Sequence, residues 1–533
     1  MPRLAPLLVL VVAAVALWAG WREFWFLCDD AYIEFRYVSN ALQGRGYVWN
    51  PPPWRPVEGY TSFLWLVVLE AAWRLGFEPP VAAPGLSLGF SAVSVGLVAT
   101  MAWRLPLTGA LAGHRVAVLA AVLASTLSNR TFLAWTSSGL ETAFFSSVVL
   151  GWVAVAVYTR SLWGLTTLAG VMALVRPDGL LYAAASGVIV LMRVRTDRRA
   201  LLTLLPLLLP VAHVAWRLDF YGYPLPNTYY AKHVGPWPLA GVGYLASFLL
   251  EYAYWVWLGV MALGAAAFFR YLRAGGIRAG VDPAWIGITT VVAHFAYYTF
   301  NVGGDHFEYR VYHHLVPLLA LTFFAVCDRL TWPARRTWAV FAAMTALGLV
   351  LPWTHWWHTR TAVGHKEPGS FRFPIAAHVP APIRPYAQAW DALQHRLLGH
   401  FIGIRHQGHR TYLGYQASRY PAREEGAAVP LDGYPVFAAA AVGYPAWSLP
   451  NVAIIDTLGL NDLVVARTPA RHTDQTKRKM AHDRQAPKGY AACFRPNVTI
   501  DRAGALTVTP REVPLAESEI RACEADWLAR VTR

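Results

Sequence analysis

The sequence predicts a polytopic α-helical membrane protein of about eleven spans, followed by a C-terminal soluble domain of α/β or α+β type on the extracytoplasmic side. Three observations predict this. The chain of 533 residues is 56% apolar and only 14% charged, too little charge for a soluble protein of that length. Apolar runs of bilayer length recur from the N-terminus to about Trp353. Beyond it those runs stop, and the chain becomes rich in His, Arg and Pro. A cytosolic enzyme is excluded. In a soluble protein the net charge of +15 would point to nucleic acid. Here many basic residues sit in short loops between apolar runs, where they set topology, so the expected surroundings are membrane lipids and no nucleic acid.

The elements follow in order. Leu4 to Trp21 stands behind Met-Pro-Arg; its apolar run is long and lacks a clear small-x-small cleavage site followed by polar sequence, so it reads as a retained first span. The loops Arg193 to Arg199, Arg270 to Arg278 and Asp328 to Arg336, with a weaker one at Thr159-Arg160, concentrate the basic residues and belong in the cytoplasm by the positive-inside rule. Alternation around them gives spans near 83–103, 115–128, 140–158, 162–175, 179–193, 200–216, 249–269, 283–300, 312–327 and 337–352. Residues 22–82 then form the first external loop. Within it, 62–76 is short and carries Glu70 and Arg74, and so predicts a helix lying in the outer interface. The membrane domain is expected over 1–353 and the soluble domain over 354–533. In the latter, Val436 to Val442 and Val452 to Ile455 read as buried strands and Glu517 to Val531 as a helix. Cys493 and Cys523 share the oxidising side and are expected to form a disulfide; Cys28 and Cys327 fall at opposite membrane faces.

The first external loop opens with the doublet Asp29-Asp30, ahead of Ala31 to Leu42, which includes Arg36. One Asp serves as a helix cap; two ionisable groups at a membrane boundary point to a site. A carboxylate raised by burial and by a like charge is suited to taking a proton from a hydroxyl. Other polar clusters are expected on the same side: Glu58-Gly59-Tyr60-Thr61, Thr136 to Thr142 with Glu141, Arg176-Pro177-Asp178-Gly179, Pro226 to Lys232 with Asn227, and Gly303 to Arg310 with Asp305 and His306. Carboxylates together with Lys232, His306 and Arg310 can stabilise a phosphate leaving group while a base activates an acceptor hydroxyl. We therefore take Asp29 and Asp30 as catalytic candidates, and Arg36, Glu58, Tyr60, Glu141, Arg176, Asn227, Lys232, Asp305, His306 and Arg310 as substrate-binding candidates. His313 and His314 read as boundary histidines. His355 and His358, amid Trp353, Trp356 and Trp357, read as part of an interfacial aromatic belt with no third ligand for a metal. The chain has no GxxxxGK[ST], HExxH or GxSxG motif, so nucleotide hydrolysis, zinc proteolysis and serine hydrolysis lack support. No cofactor is called for, although a divalent cation is compatible with the acidic loop.

The stretch from Asp29 to Trp65 (DDAYIEFRYVSNALQGRGYVWNPPPWRPVEGYTSFLW) resembles the first-loop signature of bacterial GT-C membrane glycosyltransferases similar to the mycobacterial terminal arabinofuranosyltransferases. SSGLET, RPDGLL, YGYPLPNTYYAK, GGDHFEYR and IDTLGLND (Ile455 to Asp462) are similar to that group's later blocks, in the same order. The resemblance implies a GT-C fold in the bacterial cytoplasmic membrane. It also implies a polyprenyl-phosphate donor, typically decaprenyl-phospho-arabinofuranose, and inverting transfer outside the membrane to an envelope glycan, glycolipid or protein acceptor. Matched by position, it implies that Asp29-Asp30 supplies the base, that Lys232 and Arg310 hold the phosphate with His306 assisting, and that Glu58 and Asp305 shape the sugar pocket. The competing readings are transfer of another sugar to a protein or lipid, a lipid-linked sugar flippase, and an assembly scaffold.

Overall fold

The computed structural model describes residues 4–273, 283–361 and 372–532; the basic loop expected at Arg270 to Arg278 lies partly outside them. The chain is mostly helical. In the N-terminal part, α1 (Leu4–Glu23) leads into α2 (Asp29–Leu42), α3 (Phe63–Arg74), α4 (Pro79–Trp103), α5 (Arg115–Leu127), α6 (Thr142–Ala154), α7 (Leu162–Val175), α8 (Gly179–Val194) and α9 (Leu208–Tyr221). The chain continues through α10 (Pro238–Glu251), α11 (Tyr254–Arg273), α12 (Pro283–Ala296), α13 (Leu315–Arg329) and α14 (Ala334–Thr359).

Five helical segments among the described residues are long and apolar enough to cross a membrane alone: Leu4–Glu23, Pro79–Trp103, Thr142–Thr159, Arg198–Tyr221 and Ala334–Thr359. Helices α10 and Tyr254–Ala267 of α11 make a sixth as a pair, bent by 99°. The protein is thus a multi-pass membrane protein. A helix lies at every expected span, although 115–128, 162–175 and 179–193 fall on shorter apolar helices. The sequence reading missed the bend, which makes α10 a separate helix packed on Tyr297–Val302 and on the C-terminal part. At the end expected to be cytoplasmic, Asp328 accepts from the main-chain N–H groups of Thr108 (2.9 Å) and Gly109 (3.0 Å), tying the turn after α4 to the end of α13.

α3 has 12 residues, about 18 Å of helix, short of a bilayer core. It buries Trp65, Leu66 and Leu69 and packs on α2 and α4. Every residue of α2 from Ala31 to Asn40 is buried, because α2 is enclosed by α3 on one side and by the C-terminal part on the other.

The C-terminal part contains α15 (Arg384–Gly399), α16 (His406–Ala417), β1 (Val436–Ala439), α17 (Gly443–Ser448), β2 (Ala453–Asp456), β3 (Val498–Ile500), β4 (Leu506–Val508) and α18 (Glu517–Val531). β1 and β2 pair in parallel, Val436 opposite Ala453 and Ala439 opposite Asp456, and β3 and β4 pair antiparallel. The parallel pair is crossed over by α17, the connection such a pair requires. Cys493 and Cys523 are joined by a disulfide, and Cys28 and Cys327 are free and buried.

The C-terminal part interlocks with the first loop through Arg36. Its Nε donates to the carbonyl of Trp49 (2.6 Å), Nη1 to Ala446 (2.9 Å) and Leu449 (3.1 Å), and Nη2 to Asn50 (3.2 Å) and Val452 (2.8 Å). All of its donors are spent inside the protein, so Arg36 is an anchor rather than the substrate contact expected from its position.

Candidate active site

The acidic doublet opens α2, with Cys28 as the preceding cap residue. The main-chain N–H of Cys28 donates to the carbonyl of Ser138 (3.2 Å), which fixes the entry into α2 against the Ser137-Ser138 turn. The two acids have different surroundings. The carboxylate of Asp29 accepts from the N–H groups of Tyr444 (2.8 Å) and Gly443 (3.2 Å), at the start of α17. A side chain at 443 would collide with the main chain, since its Cβ would sit 1.9 Å from the Asp29 carbonyl oxygen. Only glycine allows this approach. Burial, and then the neighbouring Asp30, raise Asp29 to about 6 against the pull of the two amides. Asp30 is half-buried, and its carboxylate takes part in no hydrogen bond or ion pair among the described residues.

Asp30 and Glu34 are one turn apart and share a face of α2. Glu34 accepts the hydroxyl of Ser62. Burial, then the charge of Glu141, push its pKa well above the ordinary carboxylate range. Both Asp30 and Arg310 act electrostatically on Glu34 and on Cys28, which places the acid and the cation around the same point.

Arg310 is presented by a tight loop. Gly303 and Gly304 adopt φ of +92° and +102°, a conformation glycine reaches without strain, and the chain folds back so that Asp305 accepts from Arg310 Nε (2.9 Å) and Nη2 (3.4 Å). The guanidinium lies 4.3 Å from the centre of the Phe307 ring, whose centre is 4.5 Å from that of His409. Burial lowers the pKa of Arg310, but Asp305 and Glu141 more than offset it, so the group stays charged. His306 bonds the carbonyl of Phe401 through Nδ1 (2.9 Å). Burial, then His482, push its pKa to about 4, with Asp30 opposing, so it is neutral at pH 7. The second cation of this group is Arg176. It donates to Glu141 (2.5 Å), Asp178 (3.0 Å) and the hydroxyl of Tyr298 (2.9 Å), and its charge acts on Arg310.

Behind this loop lies a buried ion cluster that the sequence reading missed. Arg130 pairs with Glu308 (2.6 Å) and Glu251 (3.6 Å), and Arg405 with Glu251 (2.7 Å) and Glu308 (3.1 Å); all four side chains are at most 1% exposed. The main chain is joined to the same segment, with Gly403 donating to Asp305 (3.0 Å), Ile404 to His306 (2.9 Å) and Glu308 to Ile404 (3.0 Å). Arg405 of the C-terminal part thus pins the loop that carries Arg310. The available signal was a set of lone charges in apolar surroundings, which demand partners. His355 is also corrected: instead of an interfacial belt position it is buried, with Nδ1 3.3 Å from Arg130.

Of the expected substrate contacts, Glu141, Arg176 and Asp305 gather around Arg310, and Arg310 and His306 lie near Asp30. Four others stand apart. Glu58 is buried and ion-paired to Arg217 (2.6 Å), where burial, opposed by Arg217, pushes its pKa up to about 7. Tyr60 bonds the hydroxyl of Tyr221 (3.0 Å). Asn227 Nδ2 is spent on the carbonyls of Gly459 (2.9 Å), Leu460 (3.0 Å) and Asp462 (3.1 Å). Lys232 is exposed and makes no ion pair among the described residues. Glu58, Tyr60 and Asn227 order the loops rather than join the cationic group. Among the described residues no group of three or more His, Cys, Asp or Glu side chains is arranged to hold a metal ion.

No family model matches the chain. It is 28% identical over 347 residues to a terminal beta-(1->2)-arabinofuranosyltransferase of Mycobacterium tuberculosis, covering 59% of this chain and 54% of that protein. To the protein of the same name from Corynebacterium glutamicum it is 28% identical over 358 residues, covering 59% and 49%. The chain spans about half the length of these curated relatives. The likeness read from the six sequence blocks is therefore found again in the comparison of chains. Among solved structures, ArnT from Cupriavidus metallidurans bound to undecaprenyl phosphate matches at 12% identity and a TM-score of 0.49, over 89% of this chain and 88% of that one. The arabinosyltransferase EmbB from Mycobacterium smegmatis matches at 14% and 0.34, over 78% and 41%.

Proposed function

We propose that the protein is an inverting glycosyltransferase that takes arabinofuranose from decaprenyl phosphate, or a closely similar sugar from a polyprenyl phosphate, and places it on a cell-envelope glycan outside the cytoplasmic membrane. The proposed topology has eleven crossings, with the acidic doublet and the C-terminal part on the outer side. The observation that carries the reading is the carboxylate of Asp30, unengaged among the described residues, close to Arg310, which in turn neighbours Arg176. The curated relatives supply the sugar.

In this reading Asp30 is the base. Asp29 is occupied by two main-chain donors, whereas the Asp30 carboxylate accepts no hydrogen bond among the described residues. The acceptor hydroxyl oxygen attacks the anomeric carbon from the side opposite the phosphate, and its proton passes to the Asp30 carboxylate. The bond from the anomeric carbon to the phosphate oxygen breaks, and the polyprenyl phosphate leaves with the electron pair. Arg310 and Arg176 stabilise the charge that builds on that oxygen. Asp305 keeps Arg310 oriented, and neutral His306, whose Nδ1–H donates to the Phe401 carbonyl, offers Nε2 as an acceptor to a sugar hydroxyl. A single displacement inverts the anomeric centre and needs one base, not the acid and nucleophile pair of a retaining enzyme.

The test incubates the purified full-length protein with decaprenyl-phospho-arabinofuranose and an arabinofuranose oligosaccharide, then identifies the product by mass spectrometry and its linkage by NMR. An inverted new linkage is expected. Absence of transfer from every polyprenyl-phosphate sugar offered, with movement of such a lipid across reconstituted vesicles, would replace the reading with a flippase.

A further inference from the structure

Helix α16 packs on both α2 and α17, and it brings aromatic side chains of the C-terminal part to the acidic doublet. Tyr412 and Tyr415 lie on α16, with their ring centres 6.5 Å apart. Tyr420 follows just beyond its end, 6.2 Å from the Phe437 ring. Tyr444, whose main-chain N–H holds Asp29, has its ring 5.3 Å from that of Tyr32. All four side chains are half-buried. Asp29 acts electrostatically on Tyr412 and Tyr420, and Asp30 on Tyr412. Among the described residues no partner pairs the carboxylate of Asp30, so a hydroxyl can approach it from this side.

The chemistry of the surface differs from that of the Arg176–Arg310 group. A phosphate needs cations. A sugar ring presents apolar C–H faces rimmed by hydroxyls, which a tyrosine matches with a ring face and one polar tip. Four such residues drawn from α16, the turn after it and α17 make a wall beside the base, with the guanidinium of Arg419 5.8 Å over Tyr415.

We propose that Tyr412, Tyr415, Tyr420 and Tyr444 form the acceptor subsite, a stacking platform for the terminal rings of a neutral glycan. It rests on the sugar-transfer reading and adds where the acceptor is held. The glycan lies along α16 and directs its terminal hydroxyl to Asp30.

The experiment titrates a neutral arabinofuranose oligosaccharide into the full-length protein in nanodiscs without donor, and separately titrates decaprenyl phosphate. Both are repeated for Tyr412→Leu, Tyr415→Leu, Tyr412→Phe and Tyr415→Phe. Leucine keeps the bulk that packs on α2 and removes the aromatic face; phenylalanine keeps the face. Each leucine variant is expected to weaken oligosaccharide binding about tenfold and to leave decaprenyl phosphate binding unchanged, and each phenylalanine variant to stay near wild type. The proposal is overturned if the wild type does not bind the oligosaccharide, if leucine variants with unchanged melting bind it as wild type does, or if they lose lipid phosphate binding equally. Tyrosine-dependent binding without transfer would retire the transferase reading and leave the platform. Transfer with an acceptor KM insensitive to these substitutions would do the reverse.

Discussion

The carboxylate of Asp29 accepts a 2.8 Å hydrogen bond from the main-chain N–H of Tyr444, a residue 415 positions later in the chain. This bond joins the first loop to the C-terminal part at the edge of the proposed reaction centre, and it separates the roles of two adjacent acids.

Asp29 has a measurable pH signature. Burial and the charge of Asp30 raise its pKa from 3.8 to about 6, so the folded protein binds this proton more readily than the unfolded chain between roughly pH 4 and pH 6. The contribution to stability is present at low pH and is lost as pH rises through that window. Asp29→Asn removes the titration while keeping an acceptor for the two amides. Relative to wild type, the variant should gain up to about 3 kcal/mol between pH 4 and pH 7, read as a widening difference in melting temperature. A difference that stays constant across this range contradicts the assignment.

Arg405→Met should be strongly destabilising. Among the described residues it leaves Glu251 and Glu308 buried with Arg130 as their one remaining cation, at a cost of about 3–5 kcal/mol. Adding Glu251→Gln should recover part of the loss. Thermal unfolding of the single and double variants checks both statements, and an unchanged melting temperature for the single variant would refute the pinning role.

Arg310→Lys should lower kcat by roughly 10²–10³-fold, because a lysine cannot keep the forked contact to Asp305 while meeting a phosphate. Lys232→Met should change the rate by less than about threefold, as expected for an exposed residue away from the cationic group. Steady-state transfer rates distinguish this from the sequence expectation that Lys232 and Arg310 share the phosphate.

Removing the Cys493–Cys523 disulfide, which closes a separation of 30 residues, should cost about 3 kcal/mol. Cys493→Ala with Cys523→Ala, melted beside the oxidised wild type, measures it. Transfer at low temperature should persist, since the bridge joins α18 to the segment beside β3, remote from Asp30.

The helices and the acidic doublet were legible because apolar period and loop charge are local properties. The strands at 436 and 453 were legible as short apolar runs. Partner choice was not. Arg36, Glu58 and Asn227 read as site residues because they sit in polar clusters, yet each is consumed by a contact far away in sequence, such as that of Arg36 with the carbonyl of Val452. The bend between α10 and α11 was missed because the apolar composition runs through it. Glu34 could have been found from its i+4 spacing to Asp30. Arg130 and Arg405 were visible as isolated charges, but nothing in the sequence says that they share two carboxylates.

The most direct measurement is the transfer rate of Asp30→Asn against Asp29→Asn, with decaprenyl phosphate binding and melting recorded for both. Loss of at least 10³-fold in kcat for Asp30→Asn with lipid binding intact, and a clearly smaller loss for Asp29→Asn, is the predicted result. A folded Asp30→Asn protein that transfers sugar at near the wild-type rate would contradict the account.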